Sequence, residues 1–160
     1  MNLLNDVFGY GEWLAVLRIG IGLWWLKSVF HKDLGKFLRG GMVSWTTDLA
    51  ASHPWTGYGI TIQRMVKNNA AWFPYLVLLG EFSVGVGLTL GFLTPISAIV
   101  GILLNINYFL LAGVKLKDPT LNPGFRVEQG QNWTMIVSEF VILATGAGGV
   151  WSLDSVLGLF

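Results

Sequence analysis

Residues 72–114 read WFPYLVLLGEFSVGVGLTLGFLTPISAIVGILLNINYFLLAGV and hold a single charged residue, Glu81. A helix needs about 20 mostly apolar residues to cross the roughly 30 Å hydrocarbon core of a bilayer. This stretch is long enough for two such helices. Pro95 marks the division between them, because proline is favoured in the first turn of a helix. We therefore predict membrane helices over residues 72–93 and 94–114, joined by a tight hairpin.

Two further apolar runs flank this hairpin in the sequence. Residues 13–30 (WLAVLRIGIGLWWLKSVF) precede it, and residues 133–153 follow it. None of the four runs shows the alternation of apolar and polar residues, or the turn signals, that are typical of β-strands. The sequence therefore predicts an all-α fold, an integral membrane four-helix bundle that forms one domain over residues 1–160.

The composition excludes several classes of protein. Hydrophobic residues make up 53% of the chain and charged residues only 12%, whereas about a quarter of the residues in a soluble domain are charged. The absence of cysteine excludes disulfides, thiolate zinc sites and iron–sulfur clusters. The chain has no Walker loop, HExxH, GxSxG or dinucleotide-binding glycine motif. We therefore expect a lipid bilayer as a partner, with no nucleic acid and no metal site. We also expect other membrane subunits of a complex as partners.

Two connections, residues 31–71 and 115–132, join the predicted helices on one side of the membrane. In the first, Leu34, Phe37 and Leu38 recur at helical spacing among basic residues, which predicts a short interfacial helix. The second is predicted to be a polar loop. Eight of the ten Lys and Arg residues lie in these connections, and the termini and the hairpin carry none. The positive-inside rule then predicts cytoplasmic connections and extracytoplasmic termini in a prokaryotic cytoplasmic membrane.

Polar side chains inside the four predicted helices form the candidate site. At about 1.5 Å of rise per residue, they fall in one band around the bilayer midplane: Arg18, Glu81, Asn105, Asn107 and Glu139. Ionisable groups at this depth are costly and usually face the bundle interior or a wet cavity. We predict a polar pocket that binds a quinone headgroup or relays protons. The alternatives to this pocket are a buried Arg–Glu pair that only fixes helix register, or one charge that meets another subunit. Arg18 and Glu81 have similar depths, so we expect them to contact each other, directly or through one water.

Aromatic and histidine side chains supply the remaining candidates. Trp24 and Trp25 are candidates for lining the ring site of a quinone. His31 and His53 are the only histidines and so the only candidates for binding haem iron or a chlorophyll magnesium. Neither histidine lies in a recognisable motif, and a lone histidine near a membrane surface is usually just polar surface. No intrinsic cofactor is evident, and quinone is the expected ligand.

Three segments of the chain resemble the DoxX family, which includes DoxD, the membrane subunit of thiosulfate:quinone oxidoreductase. LRIGIGLWWLKSVFHK (residues 17–32) is similar to the family's first helix. GEFSVGVGLTLGFLTPISA (residues 80–98) is similar to its second and third helices with their hairpin. GAGGVWSLDSVLG (residues 146–158) is similar to its C-terminal glycine turn and SLD sequence. The segments occur in the family's order and span most of the chain.

The resemblance implies a four-helix membrane fold and, for DoxD-like members, electron transfer from a sulfur compound to quinone. Arg18, Glu81 and Asp154 match recurring polar positions of the family. The chain departs from many relatives at Lys27-Ser28, where they have a His-Gly pair, which removes any role of that histidine here. The alternative is a non-catalytic accessory subunit of a larger respiratory or photosynthetic membrane complex. A small transporter is the weaker third interpretation, because four helices would have to dimerise to build an inverted repeat.

Overall fold

A computed structural model describes residues 8–160, so residues 1–7 of the predicted domain, and the predicted side of the N-terminus, lie outside the described residues. The described chain is helical and contains no strand, which confirms the all-α prediction. Its helices, in chain order, are α1 (Tyr10–Phe30), α2 (Leu34–Lys36), α3 (Met42–Ala51), α4 (Thr56–Asn68), α5 (Phe73–Leu90), α6 (Thr94–Ala112), α7 (Phe125–Ala144) and α8 (Leu153–Leu157).

The four long helices form the body of the molecule, and each packs against two of the others. Helix α1 packs against α5 and α7, and α6 packs against α5 and α7. Their shared core contains one large aromatic side chain, Trp25, surrounded by smaller apolar ones: Val84, Leu88, Ala98, Met135, Ile142 and Ala147. All four helices run antiparallel to their neighbours in this ring, so the ends nearest residues 31–72 and 113–124 lie together.

Three of these helices, α1, α5 and α6, are long and apolar enough to cross a membrane. Many of their large apolar side chains are exposed, as expected for surfaces that face lipid. Helix α7 does not meet the same criterion among the described residues. Its first half is polar, with Glu128, Gln129, Gln131 and Asn132 close together.

The hairpin between α5 and α6 forms as predicted, close to the expected boundaries. Helix α5 ends at Gly91, whose φ of +64° is the left-handed conformation that glycine adopts without steric cost. Helix α6 begins at Thr94 with Pro95 in its first turn. Leu93, between them, also has a positive φ of 49°. Such a conformation is unfavourable for a leucine, so neighbouring groups must stabilise the turn.

Residues 31–71 were predicted to be a long loop with one short interfacial helix. This is wrong, because the segment contains three helices and little loop. Helices α2, α3 and α4 fill most of this segment, and we call them together the cap (residues 34–68). These helices are shorter and less apolar than the membrane helices, so they do not stand out as apolar runs in the sequence. Their apolar side chains are buried against one another and against the end of α6. A π turn, Phe37–Gly41, joins α2 to α3, and Gly40 breaks the helical path there with a φ of +109°.

The predicted boundaries of the fourth helix are also wrong. Helix α7 begins at Phe125 rather than 133, because the polar residues taken for a loop continue the helix. It ends at Ala144 rather than 153, because Gly146 adopts a left-handed φ of +62° and terminates it. The chain then turns and forms α8, where the side chain of Ser152 accepts a hydrogen bond from the backbone N–H of Ser155 (3.0 Å).

Candidate functional site

A cavity of about 580 Å³ lies between the cap and the ends of the four long helices. Its lining comes from α1, the cap, α5, α6 and α7. Aromatic side chains form much of its wall: Trp24, Trp25, Phe37, Trp45, Tyr58 and Phe73. All three methionines after Met1 also line it, namely Met42, Met65 and Met135. Methionine is flexible and polarisable and contacts aromatic rings favourably, so these walls suit a flat apolar or aromatic ligand.

Glu81 forms one polar wall of this cavity. It is 1% exposed, and its two carboxylate oxygens have different partners. The Lys32 ammonium forms a short ion pair with Oε2, and the Tyr108 hydroxyl donates a short hydrogen bond to Oε1. Lys32 also donates to the hydroxyl of Ser28 (3.3 Å). Lys32 lies just beyond the end of α1, Glu81 in the middle of α5 and Tyr108 in the second half of α6.

Glu139 lies behind a second polar wall and is completely buried. The indole N–H of Trp25 donates to Oε1 (2.7 Å), and the side-chain amide of Asn105 donates to both oxygens (3.1 and 2.9 Å). Trp25 and Asn105 themselves line the cavity. Gly101 leaves room for this carboxylate, because a Cβ there would lie 2.5 Å from Oε1 of Glu139. All donors to Glu139 are neutral, so no positive charge balances it directly.

Arg18 does not contact Glu81, and the predicted pair is wrong. The guanidinium is fully buried, but it donates to three backbone carbonyls: Leu88 (3.2 Å), Val150 (3.1 Å) and Trp151 (2.7 Å). The two residues have similar depths along the membrane normal, but depth does not show which face of its helix each side chain lies on. Arg18 does not line the cavity, so the structure contradicts its predicted place in the polar pocket.

Asp154, in the C-terminal SLD sequence, lies at the same end of the bundle as Arg18. It is fully buried, and it accepts hydrogen bonds from the backbone N–H groups of Leu93 (2.7 Å) and Thr94 (2.8 Å). Its own backbone N–H donates to the carbonyl of Gly91 (2.8 Å). A carboxylate at a helix N-terminus is stabilised by the unpaired N–H groups and the helix dipole. Asp154 thus fastens the C-terminal segment to the α5–α6 hairpin.

Three other predicted residues, Asn107, Trp24 and His31, are exposed. Asn107 and Trp24 line the cavity but are exposed, and the Asn107 amide donates to the carbonyl of Leu103 on its own helix (2.7 Å). His31 is exposed and donates to the carbonyl of Lys27 (2.9 Å).

His53 is buried, and both of its ring nitrogens have backbone partners. The N–H of Trp55 donates to Nδ1 (3.1 Å), and Nε2 donates to the carbonyl of Leu110 (2.9 Å). Because both nitrogens are occupied, His53 has no free lone pair for a metal. Among the described residues, no group of three or more histidine, aspartate or glutamate side chains is arranged to hold a metal ion.

Sequence reasoning missed Lys32 and Tyr108, although both contact Glu81. Lys32 lies just beyond α1 and resembles the ordinary basic residues at a membrane surface. Tyr108 has one useful signal: it lies three residues after Asn105 and so shares its helix face. Tyr58 of the cap was also missed; burial raises the pKa of its hydroxyl, which therefore stays protonated as a hydrogen-bond donor beside the cavity.

Comparison with known proteins agrees with this architecture. The model of the family described as the TQO small subunit DoxD matches residues 13–158. No curated protein and no solved structure matches the chain. The match covers α1 from residue 13 onwards, the other three long helices and the SLD sequence, and it agrees with apolar helices of membrane-spanning length. The chain is therefore a membrane protein that belongs to the DoxD family.

Proposed function

We propose that this protein is the membrane subunit of a quinone-linked sulfur oxidoreductase, and that its cavity binds the quinone ring. The proposal rests mainly on the cavity. It combines aromatic and methionine walls with the buried Glu81 carboxylate and the two side chains that donate hydrogen bonds to it. Ligand pockets of this kind measure about 300–1,000 Å³ and hold a few polar groups in a mostly apolar wall. Family membership supports electron transfer from a sulfur compound to quinone.

The polar groups match the chemistry of a quinone ring. Its two carbonyl oxygens accept hydrogen bonds. The Lys32 ammonium has three N–H donors, of which Glu81 and Ser28 accept two. The Asn105 amide and the Tyr108 hydroxyl also line the cavity, but they donate to Glu139 and Glu81 and must turn to reach a ring oxygen. Exposed apolar side chains at the cavity rim, among them Met65 and Leu76, give an isoprenoid tail a path towards lipid. The electrons would come from another subunit of the complex, which oxidises the reduced sulfur compound.

We also propose that α7 is the fourth membrane helix. Its polar side chains Asn132 and Glu139 are buried, whereas Trp133, Val137 and Phe140 are exposed. An apolar outer face with polar groups turned inwards is the pattern expected of a membrane helix that borders a polar cavity.

The orientation follows from the positions of the basic residues. Nine of the ten Lys and Arg residues, all except Arg18, lie at the cap end of the bundle. In a prokaryotic cytoplasmic membrane the cap, and with it the cavity, would then face the cytoplasm. Single cysteines tested with impermeant thiol reagents would check this: one at the exposed position 57 should be protected in intact cells, and one at the exposed position 149 should react.

Quinone binding tests the proposed function directly. The purified full chain is titrated with decylubiquinone in detergent, and tryptophan fluorescence is recorded, because Trp24, Trp25 and Trp45 line the cavity. We expect saturable quenching. Met65→Trp, which adds bulk at the cavity rim, should weaken binding at least tenfold. Ile60→Trp is the matched control, since Ile60 is exposed on the same helix and does not line the cavity.

Two results would contradict the proposal. Quenching that never saturates, or that Met65→Trp and Ile60→Trp change equally, would mean that the cavity is not the quinone site. Purification of the chain within a larger complex that shows no quinone reduction would then favour a non-catalytic accessory subunit.

A further inference from the structure

The side chains of Lys32, Glu81 and Tyr108 form a continuous hydrogen-bonded row from the molecular surface into the cavity. The Lys32 side chain is 23% exposed and the Glu81 side chain only 2%. Lys32 contacts one carboxylate oxygen and Tyr108 the other. One buried carboxylate therefore bridges a solvent-accessible proton donor and a donor inside the cavity.

We propose that this row carries protons from the cap side of the membrane to the bound ring. The inference rests on the proposed quinone site and adds the route and the side of proton uptake. Reduction of a quinone to a quinol consumes two electrons, supplied by oxidation of the reduced sulfur compound, and two protons. The protons come from water outside the cavity, and in the described chain Glu81 is the buried carboxylate that lines the cavity.

The transfer of each proton balances within the row. The Tyr108 hydroxyl, which donates to Glu81 in the structure, turns towards a reduced ring oxygen, gives it the proton and becomes a phenolate. Lys32 protonates the Glu81 carboxylate, and a half-turn of that carboxyl group brings the proton to the phenolate. Lys32 then regains a proton from water at the surface. After one cycle all three side chains have returned to their first protonation state, and two cycles complete the quinol.

Other ionisable groups near Glu81 define the competing explanations. Glu128 of α7 and Tyr58 of the cap line the same cavity, and Glu128 is half-buried. Glu139 lies behind Trp25 and Asn105 and has no contact with the surface. Glu128 is therefore the competing proton donor. A purely structural alternative remains for Lys32, which would then only anchor the cap to α5.

The test uses the complex purified from its own membranes through a tag on this chain, with thiosulfate as donor and decylubiquinone as acceptor. Lys32→Ala should lower turnover at saturating decylubiquinone at least tenfold. Added methylammonium should restore at least a third of the rate, because it can occupy the vacated site beside Glu81. Tyr108→Phe, which removes one oxygen atom, should lose as much turnover without such rescue.

Controls separate this route from the alternatives. Lys36→Ala removes an exposed lysine one turn further along the chain and should leave turnover unchanged. Full turnover in Lys32→Ala, a loss that methylammonium does not reverse, or a tenfold loss in Glu128→Gln instead would overturn the proposed route. If Lys32→Ala fails to fold, an unaltered rate in Tyr108→Phe overturns it equally. Failure of the wild-type chain to bind decylubiquinone would overturn the quinone site itself.

Discussion

The two ends of the bundle contain equally buried charges that are bound in different ways. At the hairpin end, Arg18 and Asp154 are fully buried, and their partners are backbone carbonyl and N–H groups. At the cap end, Glu81 and Glu139 are equally buried, but side chains bind them, and several of those line a cavity. Burial alone does not distinguish these sites; the kind of partner does.

At the hairpin end, Arg18 and Asp154 hold backbone turns in place, and we call these two residues with the backbone groups they bind the clasp. Two residues there, Leu93 and Trp151, have a positive φ of 49°, a conformation that disfavours most side chains. The N–H of Leu93 donates to Asp154, and the carbonyl of Trp151 accepts from Arg18. The two buried charges thus stabilise unfavourable backbone turns. A charge committed to the backbone cannot change its protonation or partners without loosening the fold, whereas side-chain partners can rearrange around a ligand.

The largest expected effect is the removal of Arg18. Arg18→Met leaves one buried and two partly buried carbonyls without their donor and Asp154 without a nearby cation. We therefore expect a loss of about 3–5 kcal/mol in the free energy of unfolding. Thermal unfolding in detergent measures it. Decylubiquinone affinity of the remaining folded protein should not change. The double variant with Glu81→Gln should be additive in stability, because the two groups share no contact; strong coupling would contradict the separation of the two ends.

Asp154→Asn should have the next largest effect. The amide nitrogen cannot accept a hydrogen bond, so the N–H of Leu93 or Thr94 would be left buried without a partner, which costs about 1–3 kcal/mol. The matched substitution at the cap end is Glu81→Gln. We expect Asp154→Asn to lower the melting temperature more, and Glu81→Gln to lower quinone-linked turnover more. The reverse order in either measurement would break the comparison between the clasp and the cavity.

Gly101→Ala should have an intermediate effect at the cap end. The new Cβ would lie 2.5 Å from Oε1 of Glu139, so the carboxylate must leave Trp25 or Asn105. Forcing an extra methyl group into a packed interior costs about 1–3 kcal/mol. Gly20→Ala is the control, since no atom lies within 4 Å of a Cβ there. Equal melting temperatures for the two variants would show that Glu139 is not held in place by its two donors.

The sequence predicted the membrane helices well because their signal is local. Apolar length, Pro95 and Gly91 are each visible within one segment, and α5 and α6 begin and end within a few residues of the predicted positions. The cap was missed because its helices are shorter and less apolar than the membrane helices. Their packing against one another is visible only in the folded chain. Helix α7 was displaced because polar residues that border a cavity resemble a loop in sequence.

The candidate site was predicted in part, for a related reason. Depth along the membrane correctly grouped Asn105 with Glu139, which are hydrogen-bonded. Depth could not show which side of each helix faces which neighbour, so it paired Arg18 with Glu81. The ion-pair partner of Glu81 is Lys32. It lies beyond the end of α1, and only folding brings its side chain back towards Glu81.

The smallest expected effect comes from Asp118, an exposed counterpart of Asp154. Its carboxylate accepts hydrogen bonds from the N–H (2.9 Å) and hydroxyl (2.6 Å) of Thr120, and these bonds lower the pKa of Asp118. A lowered folded-state pKa stabilises the fold above the ordinary pKa of aspartate, and this stabilisation is lost as the pH falls through the lowered value. Asp118→Ala should therefore lower the melting temperature only slightly at pH 7, and the difference from wild type should vanish in acid. Because water competes for the same hydrogen bonds, we expect this difference to be much smaller than that of Asp154→Asn. A comparable loss in the two variants would mean that burial adds little to the clasp.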